Sequence, residues 1–433
     1  MKVSSFFPNQ KKSVFYALSA DDLELHFSRE DLTEKQLIDD LENKSLMCCL
    51  QVASLYFGKP NDHTSFYEAF LKDEWPEVLF RYHHFFKEMG MHPISLDNLH
   101  YYPQDCFYQS IESDKGESEL VSIHLISGSN QCLHSDKTKL RISQEVNSKM
   151  RFAEIAKLND IPVPETVVTD KSSLDSQVVK EFMTKYSPQV MLKVMGLSGA
   201  RNVISISSIA EAKLYLDEYQ DDLELVLQEK LDTSVWSEMT VDLLIDDLDI
   251  SIANTRKILF SEGIWIGNYL NSKISLSDQQ LAALIKVGEC MRGLGYSEEE
   301  GLNCGIDFFV NGDEIKVIEV NARYTGGLFP AEILKRIGVT STEIGSVAFF
   351  DVVSREKLGI YLDFVESCLH GKSPYNFSIA PMGFSPQTIE LEGEKVNVWQ
   401  VIVGDLEEFK LIKESFLGEG EMPTCERIIV ETI

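Results

Sequence analysis

The residues best suited to chemistry lie on one hairpin. Gly305 to Val310 and Ile315 to Val320 are strand-like runs that flank Asn311-Gly312-Asp313-Glu314, a hairpin signal. A three-residue loop, Gly312 to Glu314, sets Ile306 and Phe308 opposite Val320 and Ile318, so one face is wholly apolar, whereas a two-residue Asn-Gly turn mixes the faces. The same register puts Asp307 directly across from Glu319 on the other face, with Asn321 two residues further along it. Like charges side by side in a sheet are destabilising unless something neutralises them, and two carboxylates with an amide are hard oxygen ligands suited to Mg²⁺ that bridges phosphates.

Cations suited to the same anion occur elsewhere in the chain. Lys193 interrupts the apolar strand Val190-Met191-Leu192-Lys193-Val194-Met195, where an ammonium group without a partner is costly and a bound phosphate would satisfy it. The loop Gly196-Leu197-Ser198-Gly199-Ala200-Arg201 follows, its glycines letting backbone amides approach an anion and Arg201 adding charge. Arg323, two residues after Asn321, leaves the hairpin beside the flexible Tyr324-Thr325-Gly326-Gly327, as a guanidinium able to bind a carboxylate or a transferring phosphoryl group. Arg256 and Lys257 lie on the preceding antiparallel strands, where alternate residues face opposite sides, and Arg256 is expected to point into the cleft. Gln228-Glu229-Lys230-Leu231 ends a strand and offers backbone groups to an adenine edge, with Glu238 and Asp242 on the next strand.

The elements that must position these groups are mixed. In a chain of 433 residues, about two to four structural units are expected. Short apolar runs such as Ser13 to Leu18 and Val121 to Ser127, separated by acidic helical stretches such as Asp31 to Asn43, read as an α/β N-terminal unit, residues 1–135. The periodic segment Ser148 to Leu158 is a helix, ended by Asn159-Asp160 and the extended Ile161-Pro162-Val163-Pro164. Strands are expected near Thr166 to Val168, Val190 to Met195 and Leu225 to Lys230, and helices over Ala210 to Tyr219 and Asp278 to Arg292. Alternating runs from Glu238 to Ile250 and Ser251 to Phe260 suggest antiparallel pairing. A last unit, residues 346–433, holds a helix near Lys357 to His370 and strand-like pieces at Gln387 to Leu391 and Val396 to Val403.

Composition narrows the partners. With 69 Asp plus Glu against 40 Lys plus Arg, the formal charge is −29, which repels nucleic-acid backbones and anionic lipid, so a polyanion must bind at a local cationic cluster. No run reaches the roughly 18–20 apolar residues of a membrane helix, and the start lacks a signal-peptide pattern, so a soluble, cytoplasmic protein is expected. The 8 cysteines are scattered without C-x-x-C or zinc spacing and read as reduced core thiols. The histidines accompany no recognisable nucleophile, and the signatures G-x-S-x-G, Walker A and G-x-G-x-x-G are absent.

Taken in order, Asn147-Ser148-Lys149 with Ile161 to Thr166, Lys193 before a small loop, Gln228 to Leu231, Asp307, and Glu319-Val320-Asn321-Ala322-Arg323 resemble the ATP-grasp superfamily, over about residues 136–345. The resemblance implies an α/β protein whose nucleotide lies between two α+β lobes, about 136–226 and 227–345. An N-terminal α/β pre-ATP-grasp domain would precede them and a small C-terminal accessory lobe would follow. Lys149 and Lys193 match the family's phosphate-binding lysines, and Gly196, Ser198 and Gly199 its phosphate loop. Gln228, Glu229 and Leu231 match the hinge around adenine, Glu238 the ribose ligand, Asp307, Glu319 and Asn321 the ligands of two Mg²⁺ ions (or Mn²⁺), and Arg323 the arginine near the γ-phosphate.

The implied activity is an ATP-dependent carboxylate–amine ligase working through an acyl phosphate, on small-molecule carboxylate and amine substrates, without nucleic acid or membrane; a homodimer is the commonest assembly of soluble enzymes in general. A kinase acting on a small metabolite and an inactive nucleotide-binding scaffold are the alternatives.

Overall fold

The computed structural model describes residues 13–19, 33–114, 116, 118–121, 136–194, 203–217, 219, 223–261, 264–271, 274–339, 345–390, 394–424 and 428. The first unit alternates β1 (Val14–Tyr16), α1 (Glu34–Phe57), β2 (His63–Tyr67), α2 (Trp75–Glu88), β3 (Leu99–Tyr102), α3 (Phe107–Asp114) and β4 (Glu119–Val121). Its four strands run parallel in the order β3-β2-β1-β4, and β1 is buried throughout, as befits a parallel sheet covered on both faces. Residues 122–127 of the expected strand Val121 to Ser127 lie outside the described residues.

Helix α1 starts at a capping box. The Thr33 hydroxyl accepts from the Gln36 amide, and the Gln36 side-chain oxygen accepts from the Thr33 N–H. It runs 14 residues past Asn43, where the expected acidic helix ends, because the stretch from Met47 to Phe57 is buried on every side and so carries no amphipathic period to read.

A second unit begins with α4 (Lys137–Val146) and α5 (Lys149–Leu158), the latter capped by the Ser148 hydroxyl. It continues through β5 (Thr166–Asp170), α6 (Gln177–Tyr186), β6 (Val190–Val194), β7 (Val203–Ile206), α7 (Ile209–Tyr215) and β8 (Glu224–Glu229). The strands form an antiparallel sheet in the order β5-β8-β6-β7. Val190, Leu192 and Val194 enter a core shared with Val179, Phe182 and Ala212 of the two helices, which leaves Lys193 on the opposite face.

The largest sheet comprises β9 (Ser237–Ile245), β10 (Ile250–Ser261), β11 (Ile264–Leu270), β12 (Leu302–Asn311), β13 (Glu314–Asn321), β14 (Ser346–Ser354), β15 (Phe377–Glu390) and β16 (Glu394–Gly404). It is antiparallel in the order β13-β12-β9-β10-β11-β14-β16-β15. Helices α8 (Asp278–Gly293), α9 (Leu328–Arg336), α10 (Leu358–Ser367) and α11 (Leu406–Leu417) are interspersed. The strands after residue 345 thus extend this sheet instead of building one of their own. They also share one core with the first unit: Asn397 Nδ2 donates to Ser45 Oγ at 2.7 Å and the Tyr82 hydroxyl to the Gly383 carbonyl at 3.2 Å.

The β12–β13 hairpin corrects the expected register. Ile306 faces Val320 and Asp307 faces Glu319 as anticipated, but Asn311 pairs with Glu314, so only Gly312 and Asp313 form the turn. Gly312 sits at φ +57°, the left-handed conformation such a tight turn favours. A regular ladder from that turn would set Asp307 against Ile318; a bulge beyond Asp307 pairs Phe308 with Val317 and restores the carboxylate pairing. Ile318 is therefore the extra residue, and it lines a cleft instead of opposing Phe308.

No helix of the described residues is long and apolar enough to cross a membrane. Six of the cysteines are free thiols, four of them buried (Cys48, Cys49, Cys304, Cys368). At the seam between first and last units, a Cβ added at Gly383 would lie 2.1 Å from the Cys49 carbonyl oxygen. Gly383→Ala is expected to force α1 from β15 and cost about 1–3 kcal/mol, read as a lower urea midpoint; an unchanged midpoint would show that the seam is not close-packed.

Candidate active site

One face of the large sheet carries the polar groups. On β9 the even-numbered Glu238, Thr240 and Asp242 share a face, and their partners on β12 are Phe309, Asp307 and Gly305. Asp307 lies between Thr240 on one side and Glu319 on the other, with Gly305 between Asp242 and Asn321 in the next row. Asn321 Nδ2 donates to Asp307 Oδ2 at 2.9 Å, which leaves the amide oxygen available as a ligand. Lys149, the first residue of α5, brings Nζ to 3.4 Å from Glu319 Oε1. Arg323 donates to Asn147 Oδ1 at 2.9 Å, and Asn147 donates to the Ala322 carbonyl at 3.0 Å, so the α4–α5 junction is tied to the end of β13.

The charges in this space are unevenly compensated. Burial, then Glu319, pushes the Asp307 carboxyl up to about 6, although Thr240, Arg256 and Arg323 pull the other way. Glu238 is pushed up to about 7 by burial and by Asp307 and Glu319, with Lys193 opposing. Burial also works against a charged Glu319, yet Lys149, Lys193 and Arg323 hold its carboxyl below the usual range. Lys193, only 5% exposed, is drawn down to about 8 by burial and by Lys149, against the pull of Glu319, Glu238 and Asp307. Among the described residues no group of three or more His, Cys, Asp or Glu is arranged to hold a metal. The oxygen set here is two carboxylates and one amide, and their mutual repulsion is what a hard cation would relieve.

Arg256 is not presented to the cleft as expected. It is 1% exposed and gripped by Asp242, itself 1% exposed, through bonds of 2.8 and 2.9 Å, with a further 2.8 Å bond to the Asn254 carbonyl. A bulge between Ala253 and Arg256, with Asn254 at φ +57°, brings this about by turning the guanidinium under the 324–327 loop. A Cβ at Gly327 would fall 2.3 Å from an Arg256 nitrogen, so only glycine lets the loop settle there. Asp242 as the arginine's partner, and Thr240 beside Asp307, were missed by the sequence reading; strand parity from Glu238 was the signal for both.

A cleft separates the small sheet from α5 and β13. Its lining includes Lys149, Phe152, Val163, Thr166, Lys193, Val226, Gln228 and Ile318. Lys193 pairs with Val226, so Gln228 lies two residues along the same face on the neighbouring strand. At its end β8 is anchored by the Glu229 N–H to the Glu165 carbonyl at 2.9 Å and the Lys230 N–H to the Gln189 carbonyl at 2.9 Å, and Leu231 is buried beyond it. Glu229 turns its carboxylate to the Glu165 N–H at 3.2 Å. The structure thus gathers Lys149, Lys193, Glu238, Asp307, Glu319, Asn321 and Arg323 around one space and Gln228 beside it. Gly196, Ser198, Gly199 and Arg201 lie outside the described residues.

This arrangement, apolar walls opening on lysines and a carboxylate pair, coincides with a family match: residues 146–327 match the ATP-grasp domain. This stretch is similar to an ATP-grasp domain. Solved structures of the same fold extend the likeness to nearly the whole chain. Carboxyaminoimidazole ribonucleotide synthase from Aspergillus clavatus, complexed with ATP, is 10% identical, with 96% of this chain and 99% of that one covered and a TM-score of 0.56. Phosphoribosylamine–glycine ligase from Thermotoga maritima is 12% identical over 94% and 98% of the two chains, TM-score 0.54. The biotin carboxylase domain dimer of Hydrogenobacter thermophilus 2-oxoglutarate carboxylase, in complex with MgADP, ADP and bicarbonate, is 12% identical over 94% and 90%, TM-score 0.53. No curated protein sequence matches the chain.

The repulsion between these carboxylates gives a pH test. The folded pKa of Asp307 lies above its ordinary 3.8, so its neutral form contributes stability that is present below about pH 4 and lost as pH rises through about 6. In EDTA, Asp307→Asn should therefore gain on wild type between pH 4 and 6, by on the order of 1–3 kcal/mol, in urea unfolding. A difference that stays flat with pH would count against the repulsion.

Proposed function

We propose that the chain is an ATP-dependent carboxylate–amine ligase that forms an amide through an acyl phosphate, with residues 136–345 as its catalytic domain. The observation that carries this reading is the pairing of Asp307 with Glu319, flanked by Asn321, within reach of Lys149 and Lys193. The match to the ATP-grasp domain supports it, as do solved structures of the same fold named as a synthase complexed with ATP and a ligase.

In this reading a substrate carboxylate oxygen attacks the γ-phosphorus of ATP. The new O–P bond forms as the bond to the β–γ bridging oxygen breaks, and ADP leaves. The amine nitrogen then attacks the acyl carbon, the bond from that carbon to the phosphate oxygen breaks, and phosphate departs with the proton the amine gives up. Asp307, Glu319 and Asn321 are the residues that would hold Mg²⁺, which supplies Lewis-acid neutralisation of the phosphate oxygens when bound. Lys149 and Lys193 neutralise the phosphate charge from α5 and β6, and Arg323 does so from the end of β13. Gln228, Glu229 and Leu231 border the base, and Glu238 serves the ribose end. Arg256 acts at one remove, holding the 324–327 loop in place through Asp242. No covalent bond to the protein is needed, so the chain contributes position and charge.

Release of ADP and phosphate from Mg²⁺-ATP, measured across a panel of amino acids and short peptides with mass spectrometry of the products, tests the reading. Acceptor-dependent release and a condensed product support ligation; phosphate left on the product would establish a kinase instead. Glu319→Ala should lower turnover by at least about 100-fold in a protein whose circular dichroism still shows the wild-type fold. Near-normal turnover in that folded variant would sink the metal assignment.

A further inference from the structure

Beside the lysines of the cleft lies a short chain of hydrogen bonds with a fixed direction. The Thr166 hydroxyl sits 2.8 Å from the Pro164 carbonyl, and Gln228 Nε2 sits 3.0 Å from Thr166 Oγ1. A carbonyl only accepts, and a hydroxyl has a single proton to give. Thr166 therefore donates to Pro164 and faces Gln228 as an acceptor, which obliges Gln228 to present its NH₂ to Thr166. The orientation of an amide, ambiguous by shape alone, is here set by its partners.

The anchor of this chain is itself held. The Pro162 carbonyl accepts from the Val317 N–H at 2.8 Å, the Val163 carbonyl from Lys316 Nζ at 3.3 Å, and the Glu165 carbonyl from the Glu229 N–H. Pro164 is buried among these contacts, so its carbonyl has little room to turn. Gln228 is buried too, 6% exposed, and lines the cleft, as does Thr166.

We infer that Thr166 is a positioning residue that sets the nucleobase preference of the cleft by fixing which end of the Gln228 amide a bound base meets. This rests on reading the cleft as a nucleotide site. One Nε2 hydrogen goes to Thr166, which fixes the opposite end of the amide, turned away from Thr166, as Oε1, an acceptor. A purine with a 6-amino group offers it a donor, whereas a 6-oxo purine sets lone pair against lone pair. If the amide were free to rotate about its last torsion, NH₂ would serve the 6-oxo purine equally well, so the preference resides in the hydroxyl of Thr166 and not in Gln228 alone.

ATP and ITP, which differ at the 6-position, are the probes, with binding followed by calorimetry and turnover by ADP or IDP release. Wild type should prefer ATP by on the order of 10- to 100-fold in Kd and KM. Thr166→Val keeps the shape and the β-branched fit to a strand but lacks the hydroxyl, and its preference should shrink to within about threefold, the change appearing in Kd and KM. Thr166→Ser, which keeps the hydroxyl, should retain the wild-type ratio. A wild-type ratio in folded Thr166→Val, or a lost ratio in Thr166→Ser, overturns the inference while leaving the ligase reading intact. Wild type that binds neither nucleotide overturns both.

Discussion

Asp307 and Glu319 face each other across adjacent strands, and keeping two half-buried carboxylates in that register is the constraint around which the chain is arranged. Left alone, the pair would drive the strands apart or one member to neutrality. Several unrelated elements converge to prevent it: Lys149 from the start of α5, Lys193 from the small sheet, Arg323 from the end of β13 and the Asn321 amide alongside. The hairpin bends to the same requirement. The shift introduced by its tight turn is undone by the bulge at Ile318, so the register is restored from the carboxylates onward.

The charges do not belong to one rigid block. The carboxylates stand on a sheet whose core includes Val241, Leu243, Ile306 and Val320, and α5 adds Phe152 and Ile155 to that same core. Lys193 stands on a sheet with a separate core of its own. Electrostatic attraction and the residues 161–165, which bond to β13 on one side and to β8 on the other, therefore link two bodies that pack independently. A polyanion between them would be contacted from both, so its affinity depends on how these bodies are spaced as much as on any single lysine.

Much of this was legible because chemistry violates the rules of ordinary strands. An ammonium in the middle of Val190 to Val194 and two acids on facing strands are costly without a purpose, and those violations mark Lys193, Asp307 and Glu319 directly. What stayed hidden depends on bulges, which shift side-chain parity by one residue and leave no trace in composition. The bulge at Asn254 buries Arg256, and the one at Ile318 turns an apolar residue into the cleft. The length of α1 was illegible for a different reason: a helix buried on every side shows no period. The strands β14 to β16 look like a separate unit in the sequence, because nothing local reveals that an edge is available on β11 to receive them.

The packing of α1 against β15 and β16 has a consequence for how the protein is made. Ser45 and Asn397 are hydrogen-bonded across 352 positions of chain, and Cys49 lies against Gly383. During synthesis, the apolar surface of α1 leaves the ribosome long before its partners exist, and the loop that must close over it contains both of the other cores. The first unit is thus completed last. A chain halted anywhere before the final strands would present an unfilled hydrophobic seam, a surface that chaperones recognise and proteases exploit.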